Sequence, residues 1–352
     1  MQFDIQKMDS PIYTGIWGQC HIQGIAVDQK NGYIYYSFTT KLIKAKLNGE
    51  IVGSVDGLIG HMGCIAYNEE DGCIYGSLEY KNDAICRRVL ERLQLSTQLP
   101  NAFYIAKFDV SKIDRMDMSA EESGIMKTVF LKEVLDDFNG TGVNDSGEIV
   151  QRRYGCSGID GITFAPLPGA DKSSKKYLFV AYGIYSDTTR NDNNHQVLLC
   201  YDHTQWEQYA TTLSQKQMHM NGPETPMHKF FVYTGNTRYG VQNLEYDSHT
   251  DSLLMAVYVG KKKEFPNYSL FCVDRKVAPI DKNLAGLDEV GNTLTLKHDG
   301  WHFPYGSTGL YSFGDGNWLI CHDQQTEEGQ CGYIYPYRWD ESNPFTCYIE
   351  TK

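Results

Sequence analysis

Long apolar runs are missing: no stretch reaches the roughly 18 consecutive apolar residues that a membrane-spanning helix requires. Paired cysteines are missing too. The ten cysteines are spread singly over 352 residues with no CxxC spacing, which leaves neither a zinc ribbon nor a disulfide framework to read. Positive charge is short. With 32 Lys and Arg against 44 Asp and Glu, the net charge is −12, and a surface built to neutralise nucleic-acid phosphates is excluded. GxSxG, HExxH, a P-loop and a GxGxxG between strand and helix are absent, so serine-hydrolase, zincin, nucleotide-kinase and Rossmann chemistries find no support. No sustained heptad pattern offers a coiled coil. The opening residues, MQFDIQKMDS, carry charge and alternate rather than forming an apolar leader. The expectation is a cytoplasmic chain with reduced thiols, no membrane partner and no nucleic-acid partner.

Proline is also scarce at 11, whereas glycine reaches 33 and tyrosine 25, a balance that suits short strands joined by tight turns. Those strands repeat. GIAVD at 24–28, a QKNG turn and YIYYSF at 33–38 make a strand, a turn and a strand. The plan returns as CIAYN-EEDG-CIYGSL from 64, GITFAP with KYLFVAYG at 161–183, NLEYD-SHTD-SLLMAVY from 243, and GLYSFG-DGN-WLICHD from 309. Further strand-like runs follow each copy. Four antiparallel strands per unit, five times over, predict an all-β chain folded as a five-bladed β-propeller. The whole of 1–352 reads as one domain, with insertions near 82–125, 186–227 and 275–292. A sixth blade within 203–227 and an elongated β-sandwich are the alternatives.

Closing the ring removes two exposed sheet edges, and residues 2–7 (QFDIQK) read as a strand that would pair beside FTCYIE at 345–350. In the insertion at 82–101, Ile85, Val89 and Leu93 recur at helical spacing, with Arg87, Arg88, Glu91 and Arg92 opposite. A short amphipathic helix is expected there, either as ordinary packing or as a lid over the channel.

In a propeller, the loop entering each inner strand and the loop leaving the second strand open on one face around the channel, so residues remote in sequence converge. The entering loops supply Trp17, His21, Gln23, His61, Arg153, Asp160, Arg238, Tyr239, Gln242, Trp301, Tyr305 and Thr308, and the leaving loops Glu79, Tyr182, His322 and Asp323. His21, His61, Glu79, Asp160 and His322 are the candidate catalytic groups, because a histidine or a paired carboxylate can move protons. The others are candidate ligand contacts. His61 leads, since Glu79 of the same unit would hold its imidazole in one tautomer and raise its pKa. Arg152, Arg153, Arg238 and Lys261 to Lys263 would make one side of the rim cationic, unless the lysines are a solvated hairpin tip. No metal ligand set can be read. Calcium held in the channel by Asp160 and Glu79 is the cofactor that the donors would suit, and a thiolate centre built on Cys20, Cys64 and Cys156 is the weaker alternative.

Carboxylates from separate units on one rim resemble the five-bladed propeller glycosidases, which use such pairs as acid and base or nucleophile. The resemblance covers blade count and rim logic; no residue role carries over from it. The five-bladed calcium-dependent nucleotidases are similar in architecture alone. The expectation is a small-molecule ligand that is carbohydrate-like or otherwise oxygen-rich, of an anionic kind if the rim is cationic. A hydrolase or lyase would act on it. The alternative is a non-catalytic ligand-binding or protein-interaction scaffold, since fold does not decide function.

Overall fold

Each repeat folds as an antiparallel sheet, and the first strands of the five sheets touch one another in a ring. These strands are Ile22–Asp28, His61–Asn68, Cys156–Pro166, Thr237–Asp247 and Leu310–Ser312. Cys156–Pro166 is buried at every position, which is why these runs are continuously apolar rather than alternating. The turns that follow are held by side chains standing in for a backbone turn. Asp28 accepts from the Asn31 N–H at 3.0 Å, Asn68 from the Glu70 N–H at 3.2 Å, and Asp247 from the Thr250 N–H at 2.9 Å. The computed structural model describes residues 4–18, 20–144 and 146–350. The chain is a five-bladed β-propeller.

Between blades the sheets are glued by large apolar side chains. Tyr35, Leu42, Tyr80, Tyr104 and Phe108 fill the space between blades one and two, each contributing about 1.5–3 kcal/mol by leaving water. No helix among the described residues is long and apolar enough to cross a membrane.

The last blade takes strands from both ends of the chain, as expected, but not from the residues expected at the N-terminal side. Residues Ile5–Lys7 form a 3-10 turn rather than a strand, because the Asp4 carboxylate accepts the Gln6 N–H at 3.2 Å and Ile5 turns into the core. Gln2 and Phe3 lie outside the described residues. Ile12–Tyr13 pairs instead with Gln330–Trp339, setting Ile12 opposite Ile334, and Phe345–Cys347 pairs further along that strand, setting Cys347 opposite Tyr337. The fifth blade's outer strand is thus made in two pieces, one from each end of the described chain.

The insertion at 203–227 is not a sixth blade. It contains a 3-10 turn, His203–Gln208, and then lies across blade two. Thr211 and Thr128 exchange backbone hydrogen bonds there, and Tyr80 donates to the Gln215 side chain at 2.9 Å. Blades one, three and four depart from four strands, blade one by a short strand, Met118–Ser119, parallel to Ile51–Asp56. A hairpin of Ile280–Asn283 and Val290–Thr293 joins blade three by parallel pairing with His228–Tyr233. Blade four keeps three strands, and its edge is continued only by bridges from Val273 to Leu296 and Leu270 to Trp301.

Candidate active site

The inner strands share an irregularity. The pairing register breaks around Gln23 in blade one, between Met62 and Ile65 in blade two, around Asp160 in blade three and around Gln242 in blade four. A bulge re-aims the side chain it carries. Repeated at one radius, it places Gln23, Asp160 and Gln242 in the wall of a single cavity of about 200 Å³. His21, His61, Glu79 and Tyr239 share that wall, so seven of the residues expected at the rim converge.

His61 and Glu79 face each other across the antiparallel pair of blade two, and register alone makes them neighbours. Glu79 Oε1 lies 3.7 Å from His61 Nδ1, and Asp160 Oδ1 lies 4.0 Å from the same nitrogen. Neither is a hydrogen bond, and this buried nitrogen has no hydrogen-bond partner among the described residues. Asp160 is fixed from both sides: its Oδ2 accepts from Gln242 Nε2 at 3.2 Å and its carbonyl from the Ser77 hydroxyl at 2.7 Å.

Lys81 was not among the expected groups, yet it organises the site. Its ammonium contacts Glu79 Oε1, donates to the Ser157 carbonyl at 2.7 Å and stands 3.7 Å from Asp83 Oδ2. The side chains of Lys81 and Glu79 are each only 3% exposed. The signal was present, because residues two apart on a strand point to the same face. Glu79 Oε2 accepts the Ile159 N–H at 3.0 Å, which ties blade two to blade three.

That tie requires glycine at 158, where φ is +123° and a Cβ would fall 1.9 Å from Glu79 Oε2. Gly158→Ala is expected to lower the unfolding free energy by at least about 2 kcal/mol, combining backbone strain with overpacking. Urea unfolding checks this, and a loss below about 0.5 kcal/mol would place Glu79 elsewhere.

Protonation follows from burial. Burial pushes the Glu79 carboxyl up to about 7 while Lys81 pulls against it. Asp160 is driven well above the usual carboxylate range by burial and then by the Glu79 charge, so the two buried carboxyls titrate as a pair. Lys81 stays charged, its loss of water outweighed by Glu79 and Asp83. The expectation that Glu79 raises the His61 pKa is overturned: burial, with Lys81 adding to it, pushes the imidazole down to about 3. His61 is a neutral ring.

The helix expected in the insertion is α1 (Ala84–Arg92), started by Asp83, whose carboxylate accepts from the N–H groups of Ile85 and Cys86 at 3.0 Å each. Val89, Leu90 and Cys86 are buried beneath it, whereas Leu93 caps its end and is 38% exposed. Ile85 lines the cavity, so α1 forms part of its wall. Ile22, Ser157, Tyr258 and Gln330 complete the lining.

Other expected residues stand outside the cavity. His322 stacks on Tyr305 at 3.4 Å between ring centroids and bonds the Tyr337 hydroxyl at 2.8 Å, and burial pushes it down to about 4. Tyr182 is fully buried and donates to Asp137 Oδ2 at 2.7 Å. The Trp17 indole donates to the Thr14 carbonyl at 2.8 Å, Trp301 stacks on His298 at 4.3 Å, and the Thr308 hydroxyl donates to the Cys321 carbonyl at 3.4 Å. Asp323 accepts from Gln330 Nε2 at 2.8 Å and so reaches the wall through another side chain.

The expected cationic rim is largely spent on structure. Arg152 donates to the Phe138 carbonyl at 2.7 Å and Arg153 pairs with Glu289 at 2.5 Å. Lys262 is buried and donates to Asn194 Oδ1 at 2.8 Å, so the three lysines are not simply a solvated tip. Arg238 remains at the rim, its guanidinium 5.0 Å from the Tyr239 ring centre.

The donors expected for calcium do not fit it, because Glu79 is engaged by Lys81 and the Ile159 N–H. Among the described residues no group of three or more His, Cys, Asp or Glu is placed to hold a metal. Cys64 and Cys156 are thiols that burial pushes up to about 12, the reverse of what a thiolate ligand needs.

No protein-family model and no curated protein sequence matches the chain. Among solved structures it is similar to a family GH43 β-1,3-galactosidase with galactodeoxynojirimycin, at 10% identity over 98% of this chain and 99% of that one, TM-score 0.44. It is also similar to the PQQ domain of pyranose dehydrogenase from Coprinopsis cinerea, at 11% identity over 88% and 81%, TM-score 0.34. A luciferin-regenerating enzyme gives 9% identity over 93% and 94%, TM-score 0.35. Likeness at this level says nothing of ligand or chemistry.

Proposed function

We propose that the chain is a hydrolase or lyase acting on a small oxygen-rich molecule, of about the size of one sugar residue, at the mouth of the channel. The supporting observation is that Glu79 and Asp160, from adjoining blades, both stand within 4.0 Å of the unpartnered Nδ1 of His61. Environments that push two carboxyls to different protonation levels assign an acid and a base. Asp160 carries its proton and is the general acid. Glu79, at about 7, is poised as a base near neutral pH, with Lys81 fixing its ionised form. His61, neutral and with no hydrogen-bond partner for Nδ1 among the described residues, holds a substrate hydroxyl between them, and Gln23, Tyr239 and Gln242 supply further polar contacts. Ten free thiols favour a reducing compartment such as the cytoplasm.

The test is a screen of neutral glycosides, uronate-containing disaccharides and sugar phosphates for product formation and for thermal stabilisation. One class is expected to be turned over, and Asp160→Asn is expected to lose at least about 100-fold of that turnover with its melting temperature within about 2 °C of the parent. Stabilisation by a ligand without any product, unaltered by Asp160→Asn, would instead make the chain a non-catalytic binding protein.

A further inference from the structure

The channel has a second mouth, at the far ends of the same inner strands, where a cavity of about 500 Å³ is lined by residues of all five blades. Its lining differs in chemistry from the His61 site. Five aromatic residues line it, Tyr67, Phe164 and Tyr246 from blades two to four and Tyr311 and Phe313 from blade five. Among them stands Glu245, whose Oε1 accepts the Ser312 N–H at 2.9 Å and whose Oε2 takes the Thr163 hydroxyl at 3.5 Å. Both oxygens therefore face donors, and among the described residues no basic group pairs with the carboxyl at bonding distance. Burial pushes it up to about 8, with Lys176 pulling against that shift.

We propose that this mouth binds an organic ammonium cation. Aromatic faces attract a cation through the ring quadrupole, and the gain is largest for weakly hydrated cations that leave water easily. A nearby carboxylate adds the matching charge. Glu69, Glu70, Lys172, Lys175 and Lys176 also line the cavity; Lys175 is held by Asp202 at 2.7 Å, and the Lys176 ammonium stands 6.0 Å from the Tyr246 ring centre and acts to hold Glu245 down. A bare divalent ion is disfavoured, since no group of three or more His, Cys, Asp or Glu among the described residues is placed to hold one. The volume falls within the 300–1,000 Å³ of small-molecule pockets. This site does not depend on the acid–base reading of the other mouth.

Calorimetric titration with choline and with its uncharged isostere 3,3-dimethylbutan-1-ol, at about pH 9 where Glu245 is ionised, tests the proposal. Choline is expected to bind at least about tenfold tighter than the alcohol, and Glu245→Gln to erase that preference. Tyr67→Leu, at a half-buried position, is expected to weaken choline about fivefold and serves if the Glu245 variant does not fold. Asp160→Asn is expected to leave choline affinity unchanged. Equal affinity for the two probes, no binding of choline, or loss of binding in Asp160→Asn would each overturn it.

Discussion

Lys81→Met is expected to lower the unfolding free energy by about 3–5 kcal/mol at about pH 8, because it strands Glu79 as a buried carboxylate without its cation. Methionine fills much the same volume, so the loss reports charge rather than a cavity. The pH dependence identifies the cause. Glu79 has a folded pKa raised by burial to about 7 from the ordinary 4.5, so the folded state holds this proton more tightly than the unfolded chain does. Its favourable contribution is therefore complete below the unfolded value and is lost as pH rises through about 7. Without Lys81 the folded pKa climbs further and the loss grows. The deficit of the variant should accordingly shrink toward about pH 5, where Glu79 is protonated and needs no partner. Glu79→Gln combined with Lys81→Met should recover much of the stability at about pH 8. Urea unfolding at the two pH values measures all of this. A deficit equal at both, or below about 1 kcal/mol, would mean that the pair is solvated and that Lys81 does not organise the site.

The five repeats were legible because each inner strand is followed by a polar turn or loop and a second, apolar strand, and that order survives in sequence whatever the insertions do. The placement of Asp160 and Gln242 was legible only in part. Their loops could be lined up by repeat, but the bulges that aim them inward arise from pairing with the second strand, at register breaks such as Ile159 to Ile162. Lys81 escaped notice because its contact with Ser157 forms only once blades two and three pack, although Glu79 stands just two residues before it. His322 misled for the opposite reason: its position in the repeat matches a leaving loop, yet aromatic neighbours Tyr305 and Tyr335 enclose its ring. The strand expected at residues 2–7 failed at Ile5–Lys7 through local chemistry, since the Asp4 cap favours a turn over extended backbone.

Turnover by the proposed enzyme should follow a bell-shaped pH profile whose two limbs belong to the two carboxyls and not to the histidine. As pH falls through about 7, Glu79 takes up a proton, loses its pairing with Lys81 and ceases to act as base. As pH rises far enough for Asp160 to lose its proton, the acid is gone and a second buried negative charge appears beside Glu79. The two limbs report the pair as a unit, because each carboxyl feels the other. His61 contributes no limb above about pH 4, since burial and Lys81 hold its pKa near 3. Three variants separate the roles. Asp160→Asn should cost about 10²–10⁴-fold in kcat and remove the alkaline limb from whatever activity remains, because asparagine cannot donate a proton that titrates. Glu79→Gln should remove the acid limb instead. His61→Asn should raise KM and lower kcat while leaving both limbs where they were, as befits a group that holds substrate without titrating. An alkaline limb that persists in Asp160→Asn, or an acid limb that moves with His61→Asn, would transfer the proton chemistry to the imidazole.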